Sequence, residues 1–115
     1  MKAILIDVFN KTVKEINLDG NKDMLDQWYH VIKTDVVEVA HYITDHDSIL
    51  VDEIGLLKPT NHFFFYEGAH QPFAGNGLIV GTDEEGETVD CEISAEEVEN
   101  NVQFLNWKEV LESFS

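Results

Sequence analysis

Arginine does not occur in this sequence, and seven lysines stand alone against 23 carboxylates. Without the planar guanidinium fork there is no bidentate clamp for phosphate or carboxylate, because lysine meets such groups only as a point charge. The formal charge of -16 on 115 residues repels nucleic acid, phosphate-rich ligands and anionic membranes, and it draws basic partners inward. Direct nucleic-acid binding and membrane association are therefore not expected. Cysteine is nearly absent as well. The lone Cys91 excludes an intramolecular disulfide and suits a reducing cytoplasm. Its neighbours Asp90 and Glu92 disfavour the thiolate, which predicts an inert thiol rather than a nucleophile. No apolar run approaches the ~18–20 residues that cross a bilayer. Met1–Val8 places one lysine before a short β-patterned run with no small-residue cleavage site, so no secretory leader is expected.

What is present suffices for a core. Hydrophobic residues make up 43% and aromatic residues 10% of the chain, which argues against disorder despite the charge. The length suits one domain, residues 1–115. In Lys2–Phe9 the residues Ile4, Ile6 and Val8 share one face, and Ala3 and Leu5 keep the other apolar, as in a strand covered on both sides. Thr12–Leu18 returns as a more polar strand. From Asp23 the period changes to three and four, with Leu25, Trp28 and Ile32 on one side of a helix ending near Lys33.

Alternation resumes through Val36–Ile43, and Thr44–Asp47 reads as a polar turn before a strand over Ser48–Asp52. Asp52-Glu53-Ile54-Gly55 and Asp83-Glu84-Glu85-Gly86 both read as hairpin loops with a left-handed glycine. The second joins strands over Gly77–Thr82 and Glu87–Ile93. Two helices close the chain. Ser94 caps the first through Glu97, with Val98, Val102 and Leu105 as its buried stripe. Asn106 with Glu109 opens the second, which carries Trp107, Val110, Leu111 and Phe114. The predicted class is α+β, a mainly antiparallel sheet built from hairpins with about three helices on one face. Its order is β-β-α-β-β-loop-β-β-α-α.

No catalytic constellation emerges. The serines are few, with Ser94 used as a cap and Ser113 and Ser115 terminal, and no histidine pair has metal-binding spacing. Asp45-His46-Asp47 reads as a surface turn rather than a metal site, since the glycine and distal glutamate of a calcium loop are missing. No cofactor is expected, and the expected protein is not an enzyme.

Two stretches remain. From Asp83 to Glu112 eleven carboxylates face only Lys108. Asp83, Glu84, Glu85, Glu87, Glu96, Glu97 and Glu99 form the candidate acidic surface, which is either solubilising or an imitation of a phosphate row for a basic protein. The second stretch is the run Phe63-Phe64-Phe65-Tyr66 and the glycine-rich approach Gly75-Asn76-Gly77. It offers an alternative pocket of Phe64, Tyr66, His70, Phe73, Gly75, Asn76 and Gly77 for a nucleotide-like molecule stacked on aromatic rings. The competing reading makes the same residues core and turn. Strand alternation predicts Phe63 and Phe65 buried, with Phe64 and Tyr66 on the opposite face.

Val51–Lys58 and the longer Gln71–Thr88 segment, with Met1–Asp7 and Val36–Val39, resemble the family catalogued as domain of unknown function 3846, small proteins of bacteria, phages and mobile elements. Asn76 stands where that family's pattern has an arginine, and this weakens anion binding in the loop. The resemblance implies no defined activity, only a setting. In that setting the leading expectation is a non-enzymatic accessory protein in the bacterial host's cytoplasm. It would bind and inhibit a host protein with a basic surface, defence-related or DNA-directed. The alternative is sequestration of a nucleotide-like host signal in the aromatic pocket. A third is a plain structural or regulatory subunit, and homo-oligomerisation stays open.

Overall fold

A computed structural model describes residues 1–114. Among the described residues nine strands and three α-helices follow in the order β1 (Lys2–Asp7), β2 (Thr12–Asn17), α1 (Met24–Ile32), β3 (Val37–Tyr42), β4 (Asp47–Asp52), β5 (Phe63–Tyr66), β6 (Phe73–Ala74), β7 (Gly77–Thr82), β8 (Thr88–Val89), α2 (Ala95–Asn101), β9 (Val102–Leu105) and α3 (Trp107–Phe114). The fold is α+β, and every strand pair is antiparallel.

There are two sheets rather than one. The larger runs β2-β1-β7-β4-β3, with β8 added to β7; the smaller runs β6-β5-β9. They stack face to face, and helices cover the outer faces. On one side of the large sheet, Ala3, Leu50, Leu78 and Val80 pack with Leu18, Ile32 and the half-buried Trp28 and Val31 of α1. On its other side Ile4, Ile6, Val8, Ile49, Val51 and Ile79 meet Phe64, Tyr66 and Phe73 of the small sheet, with Val98 of α2 and Cys91. Phe63, Ala74 and Leu105 face outward from the small sheet, where Phe65 and Val110 of α3 join them. Helices thus lie on both sides of the stack, not on one face. A double cover buries successive positions of a strand on both faces, and the first five residues of β4 and of β7 are all buried.

Local signals set several boundaries. Asp23 caps α1 by accepting the Asp26 N–H at 3.0 Å, and Lys33 ends the helix in the left-handed conformation. Ser94 accepts the Glu97 N–H at 3.1 Å. Asn106 and Glu109 exchange side chain to backbone bonds at 3.0 and 2.8 Å, a closed capping box.

Three expectations need correction. Val102 and Leu105 are strand, not helix: β9 pairs with β5 from Phe63–Leu105 to Tyr66–Val102. Glu87–Ile93 is strand only at Thr88–Val89. Gly55 opens a short 3-10 turn, Gly55–Leu57, and is not left-handed. It is glycine because a Cβ there would sit 2.9 Å from the Ala74 carbonyl oxygen.

Candidate functional site

The acidic surface is assembled from two elements and the link between them. In the β7–β8 hairpin, Asp83 is half-buried and works as a turn former, its Oδ1 accepting the N–H groups of Glu85 and Glu87 at 2.9 Å each. Gly86 takes φ +83°, which leaves Glu84, Glu85 and Glu87 exposed. Glu96, Glu97 and Glu99 are exposed on α2, where the first two also complement the helix N-terminus. Among the described residues no lysine pairs with any carboxylate from Asp83 to Glu99. The lysine ion pairs are Lys2–Glu15, Lys22–Asp19, Lys58–Asp52 and Lys108–Glu112. The structure therefore brings six of the seven candidate carboxylates to the surface and gives Asp83 a structural duty.

The link is held by Asp47, only 1% exposed. Its carboxylate accepts the Glu92 N–H at 3.0 Å on both oxygens and the Ile93 N–H at 2.8 Å, and the His46 Nδ1 lies 2.7 Å from Oδ1. Asp47 is thus a buried clamp on the segment entering α2, not part of an exposed turn. His46, Asp47 and Glu92 also cluster closely enough to suggest a cation site. Both Asp47 oxygens are already engaged, however, and the group is a hydrogen-bonded clamp. No single-sequence signal joins residues 45 positions apart.

The clamp carries a pH signature. The hydrogen bond to Asp47, aided by the charges of Glu92, Asp47 and Asp83, raises the His46 pKa above its ordinary 6.5 against a smaller opposing effect of burial. A folded-state pKa above the unfolded one makes the stabilisation complete below about 6.5 and lost as pH rises through the raised value. Thermal melting followed across that window is expected to show a decline with rising pH that His46→Gln flattens. Equal slopes in the two proteins would remove the imidazole from the clamp.

The alternative pocket residues are placed elsewhere. Phe64, Tyr66 and Phe73 are buried between the sheets and present no wall to solvent. Asn76, 3% exposed, accepts the Val8 N–H at 3.0 Å and donates to the Val31 carbonyl at 3.3 Å, fastening β1 to α1. A Cβ on Gly77 would lie 2.6 Å from Phe64 Cζ, so this glycine admits the ring. Gly75 is left-handed at φ +81° and donates to the His62 carbonyl at 3.0 Å. His70 is exposed; burial, and then the charge of His70, lower the His41 pKa. These residues do not converge on one hollow, because close packing of the two sheets uses their side chains. Cys91 is buried, and burial pushes its pKa up to about 11, in keeping with an unreactive thiol.

No helix among the described residues is long and apolar enough to cross a membrane. Residues 1–103 match the model of a family described as a domain of unknown function (DUF3846). No curated protein and no solved structure matches the chain.

Proposed function

The chain belongs to the domain of unknown function 3846 family, and from that premise we propose that it acts by binding, as an accessory protein that inhibits a basic host protein through its acidic surface. The observation that carries this reading is the set of exposed carboxylates Glu84, Glu85, Glu87, Glu96, Glu97 and Glu99, none of them paired with a lysine among the described residues. Unpaired surface charges of one sign are held apart only at the cost of mutual repulsion, and a basic partner relieves that repulsion. The Asp47 clamp fixes the approach to α2, so these charges are presented by a preorganised surface rather than a floppy tail. A row of this kind resembles the phosphate row that a DNA-directed protein grips, and the bacterial cytoplasm is where such a partner would be met.

Capture of partners from bacterial lysate at low and moderate salt tests this. A basic, DNA-directed protein is expected, released as salt rises. The triple variant Glu96→Gln, Glu97→Gln, Glu99→Gln is expected to weaken capture roughly tenfold at low salt, each exposed pair being worth about 0.2–1 kcal/mol. Undiminished capture by the triple variant sinks the acidic-surface reading.

A further inference from the structure

A hollow away from the Asp83–Glu99 carboxylates is lined by two lysines and one carboxylate, Asp52. A cleft of about 300 Å³ opens between the β1–β2 turn, the end of α1, the segment from Gly55 to His62 and the Ala74-Gly75 corner. That is the lower end of the range for small-molecule sites, about 300–1,000 Å³. Two of the seven lysines line it, Lys33 and Lys58. Two rings line it as well: Phe9 and His62 lie with centroids 4.8 Å apart, and Phe9 is 48% exposed.

The cations are not equivalent. Lys58 is neutralised by Asp52 at 2.6 Å. Lys33 is in no ion pair among the described residues, although its charge acts on the buried Asp7 carboxylate, and its Nζ lies 5.0 Å from the centroid of the Phe9 ring. Lys11 and Lys14 likewise make no ion pair among the described residues, and of these three Lys33 is the one that lines this cleft. Lys33 is also held in the left-handed conformation at φ 67°. That is a common way for a helix to end, and it fixes where the Lys33 side chain leaves α1. The other described non-glycine residue of this kind is Lys11, φ 55°, which lines an adjoining hollow that shares Asn61 and His62 with the cleft. Thr60 adds a hydroxyl, whose oxygen accepts the His62 N–H at 3.1 Å. Above Gly75 a Cβ would meet nothing, so the mouth is open there.

We infer that this cleft binds a nucleoside monophosphate, its base against Phe9 and His62 and its phosphate at Lys33. The exposed Phe9 ring beside His62 favours a flat heteroaromatic system, which stacks on aromatic faces, and Lys33 already makes a cation–π contact with Phe9. One unpaired ammonium matches one phosphate. A chain of phosphates would outrun that single charge and meet the field of the -16 chain. The inference does not depend on the acidic surface, which is built from other residues.

Amide NMR titrations of the full chain with adenosine monophosphate, adenosine and inorganic phosphate test it. Saturable shifts are expected at Phe9, Lys33, Thr60 and Gly75 with adenosine monophosphate, about tenfold weaker with either half alone. Lys33→Gln is expected to reduce adenosine monophosphate to the affinity of adenosine with the amide spectrum away from the cleft retained, and Phe9→Ala to reduce it to that of phosphate. Lack of saturation, shifts centred on other lysines, phosphate as tight as the nucleotide, or full binding by Lys33→Gln would each overturn the inference. None of these outcomes bears on capture of a basic partner by the carboxylates.

Discussion

Phe64→Ala is expected to cost about 3–5 kcal/mol, the usual loss for truncating a buried phenylalanine, out of a total of about 5–15 for a domain. Phe64 is fully buried between the two sheets and packs its ring 5.5 Å from that of Phe73. The surroundings have little freedom to close over the gap. One flank is the backbone of Gly77, and β5 is held between β6 and β9 on both edges. Phe65→Ala should cost clearly less, because Phe65 is only half-buried and meets Phe114 of α3, at 5.1 Å, on the outer side of the small sheet. Urea denaturation of the two variants decides the order. If Phe65→Ala proves the more damaging, the main core does not lie between the sheets.

That ranking reverses the one drawn from alternation alone, and the reason is instructive. Period two separates Phe63 and Phe65 from Phe64 and Tyr66 correctly, since the pairs occupy opposite faces of β5. It does not say which face meets the larger sheet, and both faces of β5 are covered. Phe63 is accordingly buried too, at 2% exposure under α3. The caps at Ser94 and Asn106 were legible because their hydrogen bonds are local, each acting within three residues. The strand at Val102–Leu105 was not, because Val98, Val102 and Leu105 also fit a helical stripe, and only the distant β5 makes the segment extended. The acidic surface was legible in outline, since charged side chains face water wherever the fold leaves room. The cleft was not. Phe9, Lys33 and the pair Lys58 and His62 come from three separate segments, and only the chain's path through two sheets collects them.

Asp47→Ala is expected to cost about 2–6 kcal/mol, because each of two donors left without a partner costs about 1–3. Those donors are the N–H groups of Glu92 and Ile93, both bonded to the Asp47 carboxylate at the point where the chain leaves β8 and enters α2. Asp47→Asn keeps the size of the side chain but has one acceptor oxygen in place of two. Whichever way the amide is turned, its NH2 must face a backbone N–H, so this variant should lose an intermediate amount. Hydrogen exchange separates a local effect from a general one. Protection of the Glu92 and Ile93 amides should fall first in Asp47→Asn, ahead of those in β1 and β7 at the centre of the large sheet. The same variant bears on binding, since it leaves every exposed carboxylate in place while loosening the element that carries Glu96, Glu97 and Glu99. Partner capture should weaken in Asp47→Asn even though the surface charge at Asp83–Glu99 is unaltered. A loss below about 1 kcal/mol in Asp47→Ala would mean that water replaces the carboxylate at little cost. The rigidity of the acidic surface would then have to come from the packing of Val98 and Ile93 into the core between the sheets, and not from the clamp.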